Sequence, residues 1–475
     1  MDKNELERYL FEAEGKDKSE LSLENPYREI GFDGEKKRLG WVRNIPFLKI
    51  KQYLEKILEI IGDKENFIFV GMGGSINGIK VLLSLFKEHS LYALDNLDPA
   101  ATEQILTKIK NIDKTLIIPI SKSGTTKETQ LLSFTLKELF KKESRREHFL
   151  MLSDPASFTK LDSLGWSGAE KLPIQFDGEA DIGGRFSCPH TLIFFFPLFL
   201  LLNRDFGKLQ VIYQTYISHQ EEIRNQAYCF TQKYKEKKSA YFYPVVKKSL
   251  QEVFSSWCYQ IFQESLGGKK EGFSAKTIVF QDKNDNMFLP LELNLTIDNS
   301  AVYIMCQMYF FQIFIAFYAA AQKVNFVNQD FVEKYKNVMK KLEAESPEEI
   351  VPLKLDHVIE EVQRKIDTDC HFIEVVLYFY PRPDVVCKIK DTFRGAFKDR
   401  RIFTVVGSDW NHHSYQATFG DENTFYVFLL SSAYLTELFP ISVDTLSRNI
   451  ETLKLISKAT HSTLADKSLL FSLSF

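Results

Sequence analysis

The chain of 475 residues lacks the marks of several function classes. Its net charge of -3 and pI near 6.4 leave no basic excess, so a nucleic-acid partner is not expected. Its six cysteines (Cys188, Cys229, Cys258, Cys306, Cys370, Cys387) form no C-x-x-C pair. The start, MDKNELERYL, has no secretory pattern, and the expectation is reduced thiols in a cytoplasmic protein. No zinc spacing is visible: His412 and His413 are adjacent, whereas a helix presents i, i+4 pairs to one metal. A full dinucleotide fingerprint is missing too. Gly71 and Gly73 give G-x-G, but Ile76 stands three residues later, and no Lys precedes a Ser or Thr as a P-loop needs. NAD and ATP are therefore poor fits.

Apolar runs are few. Thr191–Leu202 (TLIFFFPLFLLL) is too short to span a bilayer and contains Pro197. Ala301–Ala321 is long enough by length, yet Gln307 and Gln312 interrupt it and no Lys/Arg cluster flanks it. A helix buried on all sides of an α/β protein reads the same way, and no membrane association is expected.

The informative segment is Thr115–Thr129, TLIIPISKSGTTKET. A short apolar strand (Leu116–Ile120) turns at once into Ser121, Lys122, Ser123, Gly124, Thr125 and Thr126, and a helix follows from about Lys127 to Phe140. Free N–H groups at a helix start, aided by hydroxyl donors, form an oxyanion cradle, so a phosphorylated ligand is expected. A second turn of this type, Gly71-Met72-Gly73-Gly74-Ser75, follows the strand Phe67–Val70. Clustered glycines let the backbone approach a ligand, although a tight βα turn reads alike.

Length predicts about two to three domains. Residues 1–45 read as an N-terminal helical arm. From 46 to 205, helices alternate with strands at Phe67–Val70, Leu91–Ala93, Leu116–Ile120 and Phe149–Leu152, the pattern of a doubly wound parallel sheet. A second alternation over 206–475 has strands near AYFYPVV after Ser239, at Thr277–Phe280, Phe372–Tyr380, Ile402–Val406 and Phe425–Leu430. The charged run Glu333–Lys365 reads as a solvated helical face and linker.

Together these residues resemble the phosphoglucose isomerases, built on the double sugar-isomerase (SIS) fold. Gly73-Gly74-Ser75 and Ser121–Thr126 resemble the family's phosphate-side loops, and Gly183-Gly184-Arg185-Phe186-Ser187 its GGR[FY]S motif. Trp257–Gly272 resembles W-x-x-Q-L-x-x-E-S-x-G-K-x-G-K-G, and Val324–Lys336 resembles VNPFDQ-x-x-VE-x-x-K. Asn411–Gln416 (NHHSYQ) resembles LHS-x-GQ, here placed after the lysine segment as in the isomerase half of transaldolase–isomerase fusion enzymes. Tyr415, Phe326 and Asn328 depart from the motif residues Gly, Pro and Asp.

The resemblance implies two doubly wound SIS domains and an aldose–ketose isomerase acting on glucose 6-phosphate and fructose 6-phosphate. A phosphosugar-binding protein without turnover and an isomerase of another hexose phosphate remain open alternatives. Glu264 is implied as the base moving a proton between C2 and C1, the plainer reading being a helix-end pair with Lys269 or Lys270. Arg185 is implied at the enediolate, against a plain salt bridge to Asp181. Lys336 and His412 are implied in ring opening, with the adjacent His413 as an alternative register and a surface role as the plainer reading of Lys336. Substrate binding is implied for Gly74, Ser75, Ser121, Lys122, Ser123, Thr125, Thr126, Gln260 and Gln329. The chemistry needs neither metal nor organic cofactor. Relatives of this kind are usually homodimers that share the histidine between subunits; the relocated motif here suggests a histidine supplied within one chain.

Overall fold

The computed structural model describes residues 1–86, 89–141, 145–237, 240–268, 275–279, 287–328, 331–343 and 350–474. The arm begins with helix α1 (Lys3–Gly15), whose N-cap Asp2 accepts from the Glu5 N–H at 2.9 Å. Beyond it the arm holds single helical turns at Lys18–Glu20, Tyr27–Ile30 and Gly40–Val42 and a two-residue antiparallel pair, Phe32–Asp33 with Lys36–Lys37.

The first α/β unit carries strands β1 (Asn66–Val70), β2 (Leu91–Leu94), β3 (Thr115–Pro119), β4 (Leu150–Ser153) and β5 (Glu170–Pro173), interleaved with helices α2 (Asn77–Leu83) and α3 (Lys127–Lys137). Parallel pairing runs β2-β1-β3, and bridges Ile117–Phe149 and Ile120–Leu152 join this group to the β4-β5 pair. Every residue of β1 and β3 is buried, which is why both read as continuous apolar runs. Strand β5 (EKLP) buries only Leu172 and carries no such run, so no strand is expected there from sequence.

Helices α4 (Leu192–Leu201), α5 (Phe206–Tyr234), α6 (Gln251–Tyr259) and α7 (Ser300–Gln322) fill the middle of the chain. Helix α7 is long and apolar enough to cross a membrane by composition, but 94% of its apolar window is buried within the protein. Its Gln312 is there for a reason: the amide donates to the carbonyls of Phe186 and Cys188, at 3.3 and 2.8 Å, and accepts from His190. An apolar helix thus holds the loop that carries Arg185.

Among the described residues, the second half carries two parallel sheets. Strands β6 (Ala240–Val245), β7 (Ala275–Thr277) and β8 (Phe288–Glu292) pair in parallel in the order β8-β6-β7. Helix α8 (Val332–Leu342) follows, then strand β9 (Pro352–Leu353) and helix α9 (Leu355–Lys365), so the charged run is two amphipathic helices. A five-stranded parallel sheet is completed by β10 (Phe372–Tyr378), β11 (Arg401–Val406), β12 (Thr424–Ser431) and β13 (Ser468–Leu473), in the order β9-β13-β12-β10-β11. Helices α10 (Pro383–Ala396), α11 (Gly407–His413) and α12 (Val443–Thr463) connect its strands. The fold class is α/β with parallel sheets, as the alternation predicts.

The C-terminal sheet does not stand apart. Its Tyr378, Trp410, Phe428 and Leu453 share one apolar cluster with Ile68, Val70 and Leu132 of the first unit. Helix α12 lies along α3, where Asn449 donates to Thr135 Oγ1 at 2.9 Å. That docking brings the carboxyl end of β11, and with it α11, over the turns of the first sheet.

Candidate active site

Glu264 and Arg185 form the centre. They are 2% and 3% exposed. Arg185 Nη1 donates to Glu264 Oε1 at 2.9 Å, its Nε donates to Ser265 Oγ at 2.9 Å, and its Nη2 donates to the Phe326 carbonyl at 2.6 Å. A planar fork with all faces bonded fixes both the guanidinium and the carboxylate it touches. The second carboxylate oxygen accepts from Gln260 Nε2 at 3.0 Å, one helical turn earlier. The sequence reading offered Asp181 as a partner for Arg185. Instead Asp181 binds Arg43, which also grips Glu14 and Asp177 and ties the arm to the loop before Gly183. Lys269, Lys270 and Gln329 lie outside the described residues.

The glycine turns converge here by contact. Gly73 adopts a φ of +53°, and a Cβ on it would come 2.8 Å from Gln260 Nε2 and 3.1 Å from His412 Cβ. A Cβ on Gly74 would lie 2.2 Å from the Gly184 carbonyl oxygen, so the turn before Ser75 and the turn before Arg185 abut backbone to backbone. Gln260 Oε1 accepts from Asn77 at 3.3 Å, at the start of α2.

At the second turn, Ser121 Oγ lies 3.0 Å from Thr126 Oγ1, and Thr125 Oγ1 donates to Ser123 Oγ at 2.9 Å. No side chain caps the start of α3, leaving its first N–H groups to the loop space. Lys122 donates to the Ile182 carbonyl, two residues before Gly184, and lies 3.8 Å from Asp154. Burial pulls its pKa down to about 8, with Asp154 acting in the opposite direction.

His412 enters from α11. Its Nε2 lies 2.9 Å from Glu128 Oε1, in the first turn of α3, and its carbonyl is 3.4 Å from Gln260 Nε2. Burial disfavours the charged imidazole, but the Glu128 carboxylate outweighs it and raises the His412 pKa. Burial likewise acts against a charged Glu128, and His412 holds it below its ordinary range. His413 points away: it is buried beside Ser414 and Asp409, and burial pulls its pKa down to about 4. Lys336 sits on α8 with its side chain 40% exposed, bonded to Glu333 at 2.8 Å. It acts on Glu128 and His412 through the field, without a bond to either.

Sequence reasoning missed Glu128. The signal was in view, an acid in the first turn of the helix after the cradle, but such an acid also reads as complementing the helix dipole.

The fold and these contacts define an α/β protein with a buried carboxylate–guanidinium centre, two open βα turns and an imidazole–carboxylate pair. Residues 49–204 match the family model described as Phosphoglucose isomerase. The match contains both turns and Arg185; Glu264, Lys336 and His412 lie beyond it. The chain is 33% identical over 236 residues to a glucose-6-phosphate isomerase of Campylobacter jejuni, covering 46% of this chain and 55% of that protein. It is 34% identical over 130 residues to a glucose-6-phosphate isomerase of Thermus thermophilus, covering 26% and 30%. The match thus spans about half of one relative and under a third of the other. A solved glucose-6-phosphate isomerase from Chlamydia trachomatis aligns with a TM-score of 0.49 at 14% identity, covering 73% of this chain and 86% of that one.

Proposed function

We propose that the chain is an aldose–ketose isomerase interconverting glucose 6-phosphate and fructose 6-phosphate through an enediolate. One observation carries the reading: a buried Glu264 is oriented by Arg185 and Gln260 where the two glycine turns and the His412 helix meet. In this mechanism the phosphate lies on the first N–H groups of α3, with Ser75, Ser121, Ser123, Thr125 and Thr126 supplying hydroxyls in exchange for their mutual bonds. His412, backed by Glu128, moves the proton that opens the ring. Glu264 takes the proton from C2 and returns it to C1, and Arg185, a permanent cation, stabilises the enediolate oxygen without altering the proton count. Lys336 must leave Glu333 to reach a ring oxygen, so its part is the outermost.

The test is turnover of fructose 6-phosphate to glucose 6-phosphate with EDTA present and Glu264→Gln as control. Turnover that disappears in the variant supports the reading. Binding of 5-phosphoarabinonate, an enediolate mimic, without turnover points instead to another hexose phosphate or a binding protein. Absence of both turnover and binding would overturn the phosphosugar reading.

A further inference from the structure

We infer that Asp409 is the positioning residue that sets both the place and the charge of His412. The inference rests on the isomerase reading for its kinetic consequences and on geometry alone for the rest. Helix α11 has only seven residues and cannot hold itself in place by its own hydrogen bonds. Asp409, one turn before His412 and 2% exposed, ties it to the first unit. Its Oδ1 accepts from the Gly73 N–H at 3.0 Å, the residue whose α-carbon faces Gln260 and the His412 Cβ. Its Oδ2 lies 3.4 Å from Lys80 Nζ, and Lys80 is held from the other side by Asp95 at 2.5 Å. The same oxygen is 3.8 Å from His413 Nε2. One carboxylate therefore fastens the histidine helix to the glycine turn of a unit more than three hundred positions away in sequence.

The arrangement separates two effects on His412. The bond to Gly73 fixes the helix, and through it the 2.9 Å approach of His412 to Glu128. The negative charge adds to that of Glu128 in favouring the imidazolium. The charged and titratable groups around His412 are Glu128 from α3, Lys336 from α8, and Asp409 and His413 from its own helix; Lys80 from α2 stands behind Asp409. When Asp409 is changed, the Lys80 cation keeps only Asp95 as a partner, so its charge adds to the loss of Asp409 in disfavouring the imidazolium.

Asp409→Asn and Asp409→Ala in the full chain test this, with folding checked by circular dichroism. The asparagine keeps an oxygen for the Gly73 N–H and loses the charge; the alanine loses both. The imidazole of His412 is titrated by NMR, assigned against His412→Gln, and kcat and KM are measured with pH. The expected result for alanine is a kcat lower by roughly tenfold to a hundredfold with KM little changed, as a misplaced group gives. Asparagine should recover most of kcat, and in both variants the His412 pKa should fall. A folded alanine variant with wild-type kcat and an unshifted His412 overturns the inference. So does an asparagine variant as impaired as alanine with an unshifted His412, which is mere packing. If alanine does not fold, the asparagine titration decides. If the wild type shows no turnover, the isomerase reading fails by itself, and an unshifted His412 in the asparagine variant still overturns the strut.

Discussion

His412 Nε2 and Glu128 Oε1 are 2.9 Å apart, joining the C-terminal sheet to the first turn of the helix that follows the Ser121–Thr126 loop. Burial opposes both charges, and each is nevertheless favoured by the other. The sign of the resulting pH dependence follows. Stabilisation from Glu128, whose pKa is lowered from 4.5, is present above that value and lost as pH falls through the folded pKa. Stabilisation from His412, whose pKa is raised from 6.5, is complete below that value and lost as pH rises through the folded pKa. Glu128→Gln should thus cost most stability between pH 4.5 and 6.5, with the difference shrinking on either side. Urea unfolding of both proteins across that range measures it; a pH-independent difference would show that no charged pair forms. The variant's turnover should also fall, by about tenfold or more, because the ring-opening imidazole loses its partner.

Much of this was legible in sequence, and the limits have physical causes. Strands β1 and β3 announce themselves because both faces are buried, and the turns after them because glycines cluster where backbones pack closely, as Gly74 does against Gly184. Strand β13 (SLLFSL) and strand β5 (EKLP) carry mixed patterns that give no comparable signal. The Arg185–Glu264 bond joins two motifs 79 positions apart, and each motif could be read without the bond. The grip of Asp409 on Gly73 could not be read at all, since a lone acid on a short helix has no pattern and its partner is a backbone N–H 336 positions away.

Arg185 and Glu264 should respond differently to truncation. Arg185→Ala leaves the Glu264 carboxylate buried beside Gln260 without its cation, and a broken buried pair costs about 3–5 kcal/mol. Glu264→Gln keeps a hydrogen-bonding oxygen for Arg185 but leaves that guanidinium buried without its anion, so it should also lose stability, by less than Arg185→Ala, while turnover falls by about a hundredfold or more. Thermal unfolding set beside kcat separates the two. A Glu264→Gln protein as stable as wild type would mean that the buried pair contributes no net charge attraction to the fold.

All the groups assigned to proton transfer lie in one chain: Glu264, Arg185 and Gln260 touch each other, and His412 reaches Gln260 and Glu128 of the same molecule. A mixture of Glu264→Gln and His412→Ala proteins, unfolded and refolded together, should therefore stay inactive. Activity near a quarter of wild type or above, as shared sites in mixed dimers give, would show instead that the histidine crosses between subunits. Differently tagged variants, captured in succession on the two tags from the same mixture, establish whether mixed dimers were present to be tested.

Two histidines outside the proposed chemistry should dominate acid sensitivity. His190, bonded to Gln312, and His413, packed beside Ser414 and Asp409, are both buried, and burial pulls each pKa down from 6.5 to about 4. Both are therefore neutral in the folded protein at mildly acidic pH, whereas the unfolded chain protonates them. The unfolded state then binds more protons, so stability must fall as pH drops from 6.5 toward about 4. The slope is on the order of 1.4 kcal/mol per pH unit for each histidine. His190→Asn keeps a donor for Gln312 and removes one titrating group, so its unfolding free energy should be lower at neutral pH but fall less steeply in acid. Denaturant titrations at a series of pH values give both slopes. Parallel curves for variant and wild type would mean that His190 takes up its proton without unfolding, and that acid acts elsewhere in the chain.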